Sequence, residues 1–162
     1  EILIGLVGSE MCIRDRCRYG HSWSMKINER TVLNKGCRIC EQEYLSLFPA
    51  LAISYYANMK GLKVEFGSDR LFGIPLDVYI PAEQVAIQVN MDSDKIGILK
   101  DYLCKQREIK LIKLPMKPNE AEPEYVQRIK AAFQSVHIFI SSDTEEDVRI
   151  IRKTFENWRS SR

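Results

Sequence analysis

The sequence predicts an α/β (α+β) domain whose core runs α-β-β-β-α-β, with an extra β-α unit after it and a small Cys/His unit before it. Three observations carry this. Two strand-like runs with alternating apolar residues flank a short polar turn between Leu76 and Asn90. Stretches with helical apolar spacing stand on both sides of that hairpin. Four Cys and His residues with metal-ligand spacing are confined to the segment ahead of it.

Residues 1–16 open with an apolar run too short for a membrane span, and no basic segment leads it. The stretch Ser9-Glu10-Met11-Cys12-Ile13-Arg14-Asp15-Arg16 resembles translated sequencing-adapter sequence. The segment is therefore read as a non-native or disordered leader and left out of the fold.

Cys17, His21, Cys37 and Cys40 follow in the spacing Cys-x3-His-x15-Cys-x2-Cys. Two pairs of soft or borderline donors are what a tetrahedral structural zinc requires. Gly20 and Gly36 are expected to let each pair turn back on the ion. Residues 17–43 are read as a zinc ribbon or treble clef, with Trp23 in its small core, and residues 44–162 as the α/β domain. Five cysteines is an odd number, which favours metal ligation over a disulfide framework and a reducing, cytoplasmic setting. Within the ribbon, Arg18, Lys26, Arg30, Lys35 and Arg38 are opposed only by Glu29, a local excess that the chain's net charge of +2 conceals. These five are the candidate phosphate contacts.

From Glu41 to Lys60 apolar residues recur at three and four, with Pro49 expected at the first position of the main helix and Gly61 at its end. Leu62–Phe66 alternates as a strand. The hairpin comes next: Leu76, Val78 and Ile80 face one way, and Val85, Ile87 and Val89 restart the alternation after Pro81-Ala82-Glu83-Gln84. The period of two gathers Asp77, Gln88 and Asn90 on the opposite face, an arrangement of oxygen donors suited to a hard cation. Asp92 and Asp94 are read as caps of a helix reaching about Arg107, which carries Lys95, Lys100 and Lys105, with Lys95 nearest the hairpin. Lys110–Leu114 reads as a strand, Glu124–Gln134 as a helix, Val136–Ile140 as a strand containing His137, and Thr144–Arg159 as an amphipathic helix. No run of apolar residues is long enough to span a membrane.

The lines Phe48–Tyr56, Leu76–Pro81, Ala86–Asn90 and Leu111–Leu114, together with Cys17-x2-Gly20-His21-x-Trp23 and Gly36-Cys37-x2-Cys40, resemble the restriction-endonuclease-like, or PD-(D/E)XK, superfamily. The closest resemblance is to its branch related to very-short-patch-repair endonucleases. It covers roughly residues 17–115 and implies a zinc ribbon fused to an endonuclease-like core, with DNA as partner. It also implies a Mg²⁺ site on Asp77, Gln88 and Asn90, assisted by Lys95. Three departures fall on acidic positions: Gln88 where the family has Glu, Asn90 where it has Asp, and Ala50 where it has Glu. Replacing carboxylates with amides removes the charge that attracts a divalent ion. The expectation is a DNA-binding protein with structural zinc whose cleavage is lost or weakened. The alternatives are an active Mg²⁺-dependent endonuclease and a protein-interaction module.

Overall fold

The computed structural model of the chain describes residues 12–161. It divides into two compact units, with the boundary between Tyr44 and Leu45. Each is described by itself.

In the first unit, strands β1 (Cys12–Arg16) and β2 (Ser22–Lys26) form an antiparallel hairpin in which Asp15 pairs with Trp23 and Ile13 with Met25. Residues 12–16, which the sequence reading left outside the fold, thus supply one of the two strands. The remainder of the proposed leader, residues 1–11, lies outside the described residues. Among the described residues of this unit the buried apolar ones are Met25 and Cys37, whereas Trp23 is half-buried and its indole N–H meets no acceptor. A short helix, α1 (Ile27–Thr31), follows, and helix α2 (Arg38–Met59) begins directly after Cys37.

Helix α2 begins eleven residues ahead of the expected start at Pro49, which lies buried inside it. Proline has no N–H to give to the carbonyl four residues back, so it is normally read as a first-turn residue. Here the apolar stripe of Phe48, Ala52, Ile53 and Tyr56, all fully buried, carries the helix through that missing bond. Burying each large apolar side chain is worth about 1.5–3 kcal/mol. The interior proline, at about 3 kcal/mol for the lost hydrogen bond and the clash of its ring with the preceding turn, is outweighed. Gly61, at φ +66°, closes the helix where the sequence placed its end.

The second unit is built on one four-stranded sheet in the order β3 (Glu65–Ser68), β4 (Leu76–Ile80), β5 (Val85–Gln88), β6 (Lys110–Lys113). Strands β3, β4 and β5 are antiparallel neighbours, and β5 and β6 run parallel. A parallel pair needs a crossover, supplied by α3 (Asp94–Gln106). The β4–β5 turn places Gln84 in the left-handed region at φ +53°.

Both faces of the sheet are covered. Tyr79 and Ala86 pack with Cys104 of α3 and Ile109, so the face expected to be polar is instead closed by that helix. On the other face Ile80, Val85, Ile87 and Ile112 meet Ala132 and Phe133 of α4 (Glu122–Gln134). Helix α5 (Thr144–Ser160) completes the unit, its first turn capped by Asp143 accepting from Glu146 N at 2.8 Å.

The strand expected at 136–140 does not form. The amides of Val136, His137 and Ile138 bond instead to the carbonyls of Phe133 and Gln134, closing the end of α4. His137 sits at φ +63°, which no strand residue adopts. The predicted β-α addition is therefore a helix alone.

Candidate metal centre and hairpin site

The loop between β1 and β2 and the start of α2 bring Cys17, His21, Cys37 and Cys40 together, with all four ligand atoms within 4.8 Å of one another. His21 Nδ1 lies 3.6 Å from Cys17 Sγ, 3.7 Å from Cys37 Sγ and 3.4 Å from Cys40 Sγ, and the Cys40 and Cys17 sulfurs are 3.6 Å apart. A tetrahedral ion about 2.3 Å from sulfur and about 2.0 Å from nitrogen sets edges of roughly 3.5–3.8 Å between its donors. The group is thus close enough, and of the right proportions, to hold a metal ion.

The first pair is positioned by Gly20 N donating to Cys17 O and Cys17 N donating to His21 O, both at 3.0 Å. Gly20, at φ +87°, supplies the left-handed turn. Gly36 does not have a left-handed φ; Asn34, at φ +51°, takes that role in the second turn. Burial pushes the Cys17 thiol up, but hydrogen bonds from the Tyr19 and His21 backbone and the Cys40 and Cys37 thiols bring it down to about 7. This favours the thiolate form that metals bind.

The five basic residues read from the sequence as phosphate contacts are not equally available. Arg30 Nε binds Asp15 Oδ2 at 2.7 Å, and Lys35 Nζ binds Glu29 Oε1 at 2.8 Å. The Arg30 guanidinium holds the Asp15 carboxyl below its usual range, as Lys35 does for Glu29. Asp15 belongs to β1, which is why the sequence window from Cys17 to Cys40 understated the acids. Arg18, stacked on Tyr19, stays exposed, as do Lys26 and Arg38.

In the second unit the hairpin register places Asp77 opposite Gln88, one step beyond the Val78–Ile87 pair. Asp77, Gln88 and Asn90 do converge, but not as three ligands. Asp77 Oδ2 accepts from Val89 N at 2.9 Å and Asn90 N at 2.8 Å, so Asn90 contributes its backbone. Gln88 is buried; its Nε2 donates to Asn90 O at 3.1 Å and its Oε1 has no partner. The remaining Asp77 oxygen faces the Lys100 ammonium at 4.0 Å, and that ammonium binds Asp92 Oδ2 at 2.7 Å.

Lys100, only 3% exposed, is the lysine of this site, whereas Lys95 is exposed on the outer side of α3. Asp92 does not cap α3, whose N-cap is Ser93; it is the counter-ion of Lys100. The sequence signal was present: Gly97, Lys100 and Cys104 share the α3 stripe facing the sheet, where a charged residue demands a buried partner. An open cleft of about 610 Å³ borders the site, lined by Gln88, Asn90, Asp92, Asp94, Asp101 and Lys113 among others. Asp101 and Lys113 are paired at 2.6 Å.

A divalent ion at this site would compete with the Lys100 ammonium for Asp92 and Asp77. Asp77 Oδ2 accepts from two amides, and the Lys100 ammonium lies 2.7 Å from Asp92 Oδ2 and 4.0 Å from Asp77 Oδ1. Among the described residues, the Cys17–Cys40 group is the one cluster of three or more His, Cys, Asp or Glu side chains with metal-binding proximity.

A second polar cluster escaped the sequence reading. Asp147 of α5 is 2% exposed, accepting from Tyr55 at 3.0 Å, Tyr56 at 2.7 Å and Ser142 at 2.5 Å, and lying 2.9 Å from Lys130 Nζ. Burial pushes the Asp147 carboxyl up, but the hydrogen bonds from Ser142, Tyr56, Lys130 and Tyr55 outweigh it and hold the group below the usual carboxylate value. Burial and the Asp147 charge raise both tyrosines. Every donor is satisfied, so the cluster reads as a fastening of α2, α4 and α5.

Comparisons of the chain with protein-family models, with curated proteins and with solved structures return no match. None of the five cysteines is disulfide-bonded, and no helix among the described residues is long and apolar enough to cross a membrane.

Proposed function

We propose that the chain is a DNA-binding protein of the endonuclease-like kind, with a structural zinc ribbon and a hairpin site that no longer cuts. The observation that carries the reading is the Lys100 ammonium between Asp92 and Asp77. A phosphodiesterase of this class needs carboxylates free to hold Mg²⁺, which polarises the phosphate and activates water. An internal lysine supplies the countercharge permanently but can neither exchange ligands nor generate hydroxide. The strand order, with two antiparallel pairs, one parallel pair and α3 crossing between β5 and β6, supports the kinship.

Zinc is the metal that suits three thiolates and one imidazole, and four protein ligands leave no open position for chemistry. The ion would hold the ribbon's fold and present Arg18, Lys26 and Arg38 to phosphates. One phosphate neutralised by each of Arg18, Lys26 and Arg38 would give a salt slope of about −2 to −3 in log K against log salt. Fluorescence anisotropy of a labelled duplex tests this. Binding with that slope, undiminished without Mg²⁺, supports the reading, and no binding at low salt refutes it. A second reading, a protein-interaction module, draws on the exposed apolar side chains of α3.

A further inference from the structure

The cleft of about 610 Å³ beside the β4–β5 hairpin is lined by a side chain whose hydrogen bonding is incomplete. Gln88 is 6% exposed, and its Oε1 is buried without a partner. The orientation of the amide is fixed by its neighbour. Asn90 O can only accept, and at 3.1 Å it holds Nε2 toward itself, so the carbonyl oxygen is what Gln88 has left to offer the cleft. Buried acceptors are ordinarily satisfied, which calls for a partner carrying an N–H or O–H.

The rest of the lining narrows the class of partner. Its charges largely cancel, since Asp92 lies 2.7 Å from Lys100 and Asp101 lies 2.6 Å from Lys113. Lys113, the cation of the lining, is thus already taken, which disfavours a phosphate. Asp94 sits in the first turn of α3, where the helix dipole offsets its charge. What remains is uncharged: Met91, 82% exposed, Ile98, 69% exposed, and Pro115, with Asn90 and Ser93 as neutral polar neighbours. Apolar walls with few polar groups suit a flat, uncharged ring bearing an N–H, and the volume falls within the range of small-molecule sites, about 300–1,000 Å³.

We infer that this cleft takes an aminated nucleobase, cytosine or adenine, turned out of a DNA strand, with its exocyclic amine donating to Gln88 Oε1. DNA as the source of the base rests on the reading proposed above. Thymine presents a carbonyl where cytosine has its amine, and would set acceptor against acceptor. Turning a base out costs unpairing and unstacking, least where the base is already unpaired.

Fluorescence anisotropy of the full chain with labelled duplexes tests it. A duplex with one bulged cytosine should bind about tenfold tighter than the matched duplex, and about fivefold tighter than one with a bulged thymine. Gln88→Leu should erase the preference for cytosine over thymine. Because Gln88 is buried, Ile98→Ser at an exposed position supplies a second check, and should cut the gain from the bulge severalfold; circular dichroism reports the fold of both variants. In a second arm, deoxycytidine at millimolar concentration should shift the Met91 methyl resonance, and thymidine should leave it in place. Equal binding of matched and bulged duplexes, or of the two bulges, overturns the inference while leaving DNA binding by the zinc unit standing. Duplexes left unbound while deoxycytidine shifts Met91 would overturn the DNA reading and keep the base site, with a free nucleoside as its ligand. Neither response overturns both.

Discussion

Replacing Asp147 with Asn removes the one negative charge that faces Lys130, Tyr55, Tyr56 and Ser142 together. The amide is nearly the same size, so little packing is lost and the effect is electrostatic. Breaking a buried pair by neutralising one partner costs about 3–5 kcal/mol. Lys130 retains Ser142 O at 2.8 Å and Thr144 Oγ1 at 3.1 Å, and its side chain is 15% exposed, which places the expectation at the lower end, about 3 kcal/mol. For a unit of this size that is a fall in Tm of about 10 °C. The pH dependence has a definite sign. Asp147 has its folded pKa held below the unfolded value, so its stabilisation is complete above about pH 4 and fades as pH falls through the folded pKa. Urea denaturation of wild type and Asp147→Asn should therefore show a constant gap from pH 8 to 5 that closes in acid. A gap below about 1 kcal/mol at neutral pH, or one that persists unchanged into strong acid, would refute the reasoning.

Three further outcomes follow from the same geometry. The purified chain should carry one zinc by elemental analysis, and Cys40→Ser should lose most of it, since three donors cannot close the tetrahedron. Gly20→Ala should cost about 1–2 kcal/mol at φ +87° although its Cβ meets nothing closer than 3.9 Å, and should quicken zinc release to a chromogenic chelator severalfold. Lys100→Met should destabilise the second unit by about 2–4 kcal/mol in urea melts, less than a fully sealed pair because Asp92 and Asp77 retain some exposure.

Much of this molecule was legible in its residues. The Cys17, His21, Cys37 and Cys40 cluster was readable because its chemistry is local: spacing and donor type mark out the group before any long-range contact is known. The β4–β5 hairpin was readable for a similar reason, since alternation and a short turn fix its register. What failed depended on partners distant in sequence. The run Val136–Ile140 has strand composition, but the preceding helix takes its amides. Pro49 looked like a start signal until the buried stripe around it was known. Lys95 was favoured over Lys100 by nearness in sequence, whereas the helical phase turns Lys100 inward and Lys95 outward. Arg30 looked open because its partner Asp15 sits in the strand that was set aside, a strand that also brings Arg14 and Arg16.

Whether the hairpin still supports metal-dependent cutting is answered most directly by nicking of supercoiled plasmid in Mg²⁺ or Mn²⁺. Because the Lys100 ammonium occupies the space between Asp77 and Asp92, the supercoiled form should persist unchanged in either ion. Conversion to open circles that disappears in Asp77→Ala would contradict it and make the chain an active endonuclease.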